Sequence, residues 1–124
     1  MTREEYRSAA EDVIYLAACM VNGEKPDSER VSGMDPEQLY KAADRHMLTG
    51  IVGYALEAAG VSDTAFRQAK AKAIRKIILF DTERKAVLAE LEKAGIWHMP
   101  LKGCVMKEFY PQLGMRQMAD NDIL

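Results

Sequence analysis

The chain has 124 residues, 48% of them apolar and 29% charged, and a formal net charge of −2. That is enough for one ordinary folded domain, or for a domain and part of another, and it excludes a disordered or collagen-like chain. The charge balance disfavours direct binding of nucleic acid or an anionic membrane, and no apolar run approaches the ~20 residues of a bilayer span.

Cys19 and Cys104 are far apart, and the N-terminus (Thr2-Arg3-Glu4-Glu5) has no secretory core. Both features fit reduced thiols in a cytoplasmic protein. His46 and His98 lack partners at ligand spacing, which argues against zinc.

Residues 1–94 read as a helical region. Thr2 and Glu5 have the spacing of a capping box, Tyr6, Ala10, Val13, Ala17 and Met20 recur at helical intervals, and Gly23 is a stop. Residues 23–34 lack periodicity and read as a loop. Asp35-Pro36-Glu37-Gln38 is a second helix start, with Asp as cap and Pro at the first position, where no amide donor is needed. Leu39, Ala43, His46, Met47, Gly50, Tyr54 and Ala58 extend one stripe to a stop at Gly60, which places His46 at the core or its boundary. Ser62 or Asp63 starts a third helix of about 45 Å. Its stripe of Phe66, Ala69, Ala73, Ile77, Phe80, Val87, Leu88 and Leu91 is interrupted by Asp81 and Arg84. Lys70, Lys72, Arg75 and Lys76 read as a solvated face. Gly95, followed by apolar Ile96, is a Schellman-type end.

The pattern changes at residue 96. Ile96–Leu101 is short, apolar and bounded by glycines, so it reads as a strand, with Pro100 restricting it to an edge. Cys104 to Tyr110 fits a short helix with Val105, Met106 and Phe109 inward, ended by Pro111. A turn at Gln112-Leu113-Gly114 leads into Asp120-Asn121-Asp122-Ile123-Leu124. If that run is extended, Asp120 and Asp122 share a face with Cβ atoms about 6.5–7 Å apart, near enough to grip one divalent cation. Otherwise the pair sits in water. Leu101-Lys102-Gly103 places a glycine where a strand passes to a helix, a junction suited to phosphate, and Arg116 is a permanent cation just ahead of the second strand.

The stretch Leu101-Lys102-Gly103, Tyr110-Pro111, Gly114, Arg116, Asp120 and Asp122 resembles the opening of a nucleotidyltransferase domain of the polymerase-β-like superfamily. More narrowly, it is similar to the bacterial uncharacterised nucleotidyltransferases. The resemblance implies a mainly α chain, in which an N-terminal helical bundle (1–94) is followed by the first strand-helix-strand of an α+β nucleotidyltransferase domain (95–124). It also implies transfer of a nucleotidyl group from a nucleoside triphosphate to an acceptor that the sequence does not name. Asp120 and Asp122 would be the metal-binding and catalytic carboxylates, for Mg²⁺ or Mn²⁺. Lys102, Gly103 and Arg116 would contact the nucleotide. Cys104 departs from the serine usual in the superfamily, and Asn121 from an apolar residue. The third carboxylate is expected beyond Leu124, so the chain alone is expected to be catalytically silent and to self-associate through an exposed strand. The alternatives are a non-catalytic helical interaction module and an antitoxin-like nucleotidyltransferase homologue.

Overall fold

A computed structural model of the chain describes residues 1–119 and 121–124. Helix α1 spans Arg3–Val21, α2 Ser28–Ser32, α3 Pro36–Arg45, α4 Thr49–Ala58 and α5 Thr64–Lys93; strand β1 (Pro100–Leu101), helix α6 (Gly103–Met106), a 3-10 turn (Lys107–Phe109) and strand β2 (Asp122–Ile123) follow. The chain is mainly helical, with a small strand-helix-strand unit at its C-terminal end, as the sequence predicts.

The helix ends form for the expected local reasons. Glu5 N–H donates to Thr2 Oγ1 at 3.1 Å, and Thr2 N–H donates to Glu5 Oε2 at 2.7 Å. Asp63 Oδ1 accepts from Phe66 N–H at 3.0 Å to start α5. Its end is a Schellman motif: Gly95 takes φ +70°, and Ile96 N–H reaches Leu91 O at 2.9 Å.

Two expectations fail in the first half. Residues 23–34 contain α2, whose five residues are too few to display a period; Asp27 caps it, and its Val31 is buried in the core. The predicted single helix from 36 to 59 is two helices. Leu48 N–H donates to Ala43 O at 2.8 Å and Met47 N–H to Asp44 O at 3.1 Å, a Schellman closure with Met47 at φ +56° in the left-handed position. Glycine normally marks that position, so the break had no sequence signal. The interruption rephases the chain. Ile51, Val52, Ala55 and Leu56 are buried, while His46, Met47 and Ala58 are exposed. His46 accordingly lies outside the core, its Nε2 2.8 Å from the Tyr6 hydroxyl.

The main core gathers Leu16 of α1, Leu39 of α3, Ile51 and Val52 of α4 and Phe66 of α5. Tyr40 meets Phe66 edge-on, with centroids 5.2 Å apart, a geometry favoured by the ring quadrupoles. Full burial along α5 stops at Ile77; Val87 is exposed, and Leu88 and Leu91 are only partly covered, so the predicted stripe holds in its first half.

Met115, from the C-terminal segment, is buried in this same core. Two glycines let its loop in. A Cβ on Gly50 of α4 would lie 2.3 Å from Gly114 O, and one on Gly114, itself at φ +90°, would lie 2.8 Å from Ile74 Cγ1 of α5. The Tyr54 hydroxyl donates to Leu113 O, and Gln117 Nε2 donates to Thr49 Oγ1 at 3.1 Å. The helical bundle thereby fixes the segment that leads to the candidate site.

Candidate nucleotide and metal site

Strands β1 and β2 pair antiparallel, with Pro100 opposite Ile123 and Leu101 opposite Asp122. Met99 and Leu124 exchange backbone hydrogen bonds at 2.7 and 2.8 Å, extending the ladder by one pair. This register places Asp122 beside the Leu101-Lys102-Gly103 junction. Lys102 Nζ lies 3.3 Å from Asp122 Oδ2. A Cβ built on Gly103 would be 3.7 Å from Arg116 Nη2 and from Met118. Lys102, Gly103, Arg116 and Asp122 are thus brought together, although they come from the β1–α6 junction, the α6 start, a loop and β2. Asp120 lies outside the described residues.

The junction is strained. Lys102 adopts φ +54° and ψ −121°, the conformation of the first central residue of a type II′ turn, which glycine usually fills. Val105 and Met106 N–H groups both donate to Lys102 O, at 3.0 and 2.8 Å. They are therefore not free for phosphate, which leaves only the first amides of α6 for the role the sequence assigned to the junction. The space at Gly103 would admit a Cβ in ordinary contact; the bare Cα keeps the approach to the Arg116 guanidinium open.

Cys104, the departure from serine, is buried, and its Sγ donates to Leu101 O at 3.1 Å. The thiol is committed to closing the turn. The short helix also faces otherwise than expected: Cys104 is inside, whereas Val105, Met106 and Phe109 are exposed, the last by 77%. Four residues of α-helix followed by a tighter 3-10 turn shift the phase of an evenly spaced helix.

Asn121, the other departure, ties the strand segment to α5. Its Nδ2 donates to Phe80 O at 3.0 Å, and Arg84 Nη1 lies 3.5 Å from its Oδ1. Asp81 Oδ1 pairs with Arg84 at 2.8 Å, and Asp81 Oδ2 lies 3.3 Å from Lys107 Nζ, which also donates to Glu108 at 2.7 Å. Burial pulls the Lys107 pKa down, but its hydrogen bonds to Glu108 and Asp81 outweigh this and hold it above the usual lysine value. These ion pairs explain why Asp81 and Arg84 interrupt the apolar stripe. That interruption was the one sequence signal that could have revealed them as anchors. A cleft of about 450 Å³ lies between this cluster and Arg116. Arg116 Nε is buried without a hydrogen-bond partner among the described residues.

Asp122 offers a partly exposed carboxylate, the hard oxygen donor that Mg²⁺ or Mn²⁺ takes. Its neighbour Lys102 is 77% exposed, so the ammonium can swing away when a cation takes its place. Asp122 is thus one donor of the kind a divalent ion takes, and no group of three or more His, Cys, Asp or Glu residues clusters at metal-binding distance among the described residues. No described helix is long and apolar enough to cross a membrane.

Neither the curated proteins nor the solved structures contain a significant match to the chain. A family model described as "Uncharacterised nucleotidyltransferase" matches residues 32–124, from the end of α2 through β2. The match takes in three quarters of the chain, including most of the helical bundle as well as the motif-bearing end, and it carries a general role in nucleotidyl transfer with a nucleotide as substrate. The chain belongs to this family of uncharacterised nucleotidyltransferases.

Proposed function

We propose that residues 95–124 belong to a metal-dependent nucleotidyltransferase domain, seated on the helical region 1–94, and that they bind the triphosphate end of a nucleoside triphosphate. The observation that carries this reading is the meeting of Lys102, Gly103, Arg116 and Asp122 at one end of the short sheet. Asp122, together with Asp120, is the metal-binding pair; Arg116 and Lys102 are the phosphate contacts. Lys102 neutralises Asp122 in the free protein and is released to the phosphates when the carboxylate engages a cation. Arg116, fixed by the buried loop between Met115 and Met118, holds the triphosphate in one orientation at little entropic cost. With Mg²⁺ or Mn²⁺ bound, the site gains charge neutralisation of the transferring phosphoryl group.

Binding of a fluorescent nucleoside triphosphate by the protein, with and without Mg²⁺, tests the assignment. Asp122→Asn and Arg116→Gln are each expected to weaken metal-dependent binding at least tenfold. Equal binding by both variants and the parent would remove the site.

A role in self-association is also proposed. Trp97 is 97% exposed three residues before β1, near exposed Ile96 and Met99, and the sheet that follows ends, among the described residues, at two strands. Light scattering is expected to show a dimer that Trp97→Ser weakens; a monomer at high concentration would refute it.

A further inference from the structure

A second cleft, of about 660 Å³, lies between α3, the start of α4 and one face of α5. Its volume is that of a small-molecule site. The walls carry Lys72, Arg75 and Lys76 from α5 and a single acid, Asp44, from α3. The basic cluster noted in the sequence is not uniform. Lys70 pairs with Glu57 and stacks on Tyr54, 4.0 Å from the ring centroid, so it is committed to the fold. Lys72, Arg75 and Lys76 are in no ion pair among the described residues. A chain of net charge −2 thus concentrates uncompensated positive charge in one concave place. Such focusing attracts anions. Thr49, the first residue of α4, also lines the cleft, and α4 starts without a side-chain cap, so its positive end adds to the field.

The cleft adjoins the proposed nucleotide site. Gln117 and Met118 form its inner wall, and Met118 is also the residue that faces Gly103. Gln117 Oε1 is buried with no hydrogen-bond partner among the described residues, while its Nε2 is anchored on Thr49.

We propose that this cleft binds the phosphate group of a small phosphorylated acceptor, with Lys72, Arg75 and Lys76 as the anion contacts; the word acceptor rests on the nucleotidyl-transfer reading above. A ligand whose phosphate lies among these cations thus occupies a cleft that shares Met118 with the surroundings of Gly103. The limited volume of the cleft and the single helix face of cations favour a compact ester over a polymer backbone, which needs a longer basic track.

Inorganic phosphate, titrated at constant ionic strength into ¹⁵N-labelled protein, tests the cleft. Saturable amide shifts are expected at Thr49, Lys72, Arg75 and Gln117. The exposed double variant Lys72→Ala/Arg75→Ala is expected to raise the dissociation constant at least tenfold with an unchanged circular dichroism spectrum. Asp122→Asn is expected to leave it within twofold. Shifts confined to Gly103 and Arg116, or a double variant that binds like the parent, would overturn the site. A second titration, with a magnesium nucleoside triphosphate present, tests the acceptor role, which requires both ligands to bind together. Displacement of phosphate by the nucleotide would overturn that role by making the cleft part of the nucleotide site. Failure of the nucleotide to bind while phosphate still binds would instead locate the fault in the nucleotidyl-transfer reading.

Discussion

Replacing Gly50 by Ala separates local helix preference from the close approach that positions the site. Position 50 is the second residue of α4, where alanine is favoured over glycine by at most about 1 kcal/mol. The structure predicts the opposite sign. The added methyl would lie 2.3 Å from Gly114 O, a backbone atom of a loop held on its other side by Ile74. The loop must retreat from α4. It then weakens the Tyr54–Leu113 and Gln117–Thr49 hydrogen bonds, each worth about 1 kcal/mol net, and lifts part of Met115 out of the core, at up to about 1.5–3 kcal/mol. After the gain in helix propensity is subtracted, the expected loss is about 2–4 kcal/mol. Urea unfolding followed by circular dichroism measures it. Gly33→Ala is the control: a Cβ there meets only Arg30 O, at 3.6 Å, so a change within about 0.5 kcal/mol is expected. A Gly50→Ala protein as stable as the parent would refute the claim that α4 and the Gly114 loop meet backbone to backbone.

Lys102→Gly should raise stability by about 1 kcal/mol, because glycine relieves the positive φ, while nucleotide affinity falls; parallel changes in unfolding midpoint and binding would contradict this division between strain and function. Lys107→Met should cost about 1–3 kcal/mol near neutral pH, since it leaves Asp81 and Glu108 without their shared ammonium. The raised folded pKa of Lys107 means that its contribution is complete below the unfolded lysine value of about 10.4 and is lost as pH rises through the folded value. Unfolding curves at increasing pH should therefore show parent and variant converging in the alkaline range; a constant gap would show that the ammonium charge is not what stabilises the cluster.

The helical region was largely legible because its caps are chemical. Thr2 with Glu5, Asp35 with Pro36, Asp63 and Gly95 each name a boundary through the hydrogen bond or the φ angle that they supply. The break at Met47 was illegible because a residue without turn preference takes the left-handed position, and tertiary packing of Ile51 and Val52 compensates for it. Of the candidate site, the residues were readable but not their supports. Leu101-Lys102-Gly103, Arg116 and Asp122 stand out as motifs. Asn121, Asp81, Arg84 and Lys107 act across the fold, through partners that depend on how β2 lies against α5. Gln117 and the cationic cleft share that property, since side chains from α5 become a site only when α3 and α4 wall them in.

The claim on which the account rests is that the C-terminal acids hold a divalent cation beside Gly103. Titration of the ¹⁵N-labelled protein with Mn²⁺ tests it directly, because paramagnetic broadening marks the amides nearest the ion. Early, selective loss of the signals of Gly103, Asp122 and Ile123 is expected, abolished by Asp120→Asn/Asp122→Asn. Broadening that falls first on Glu83, Glu90 or other helical carboxylates, or that survives the double substitution, would contradict it.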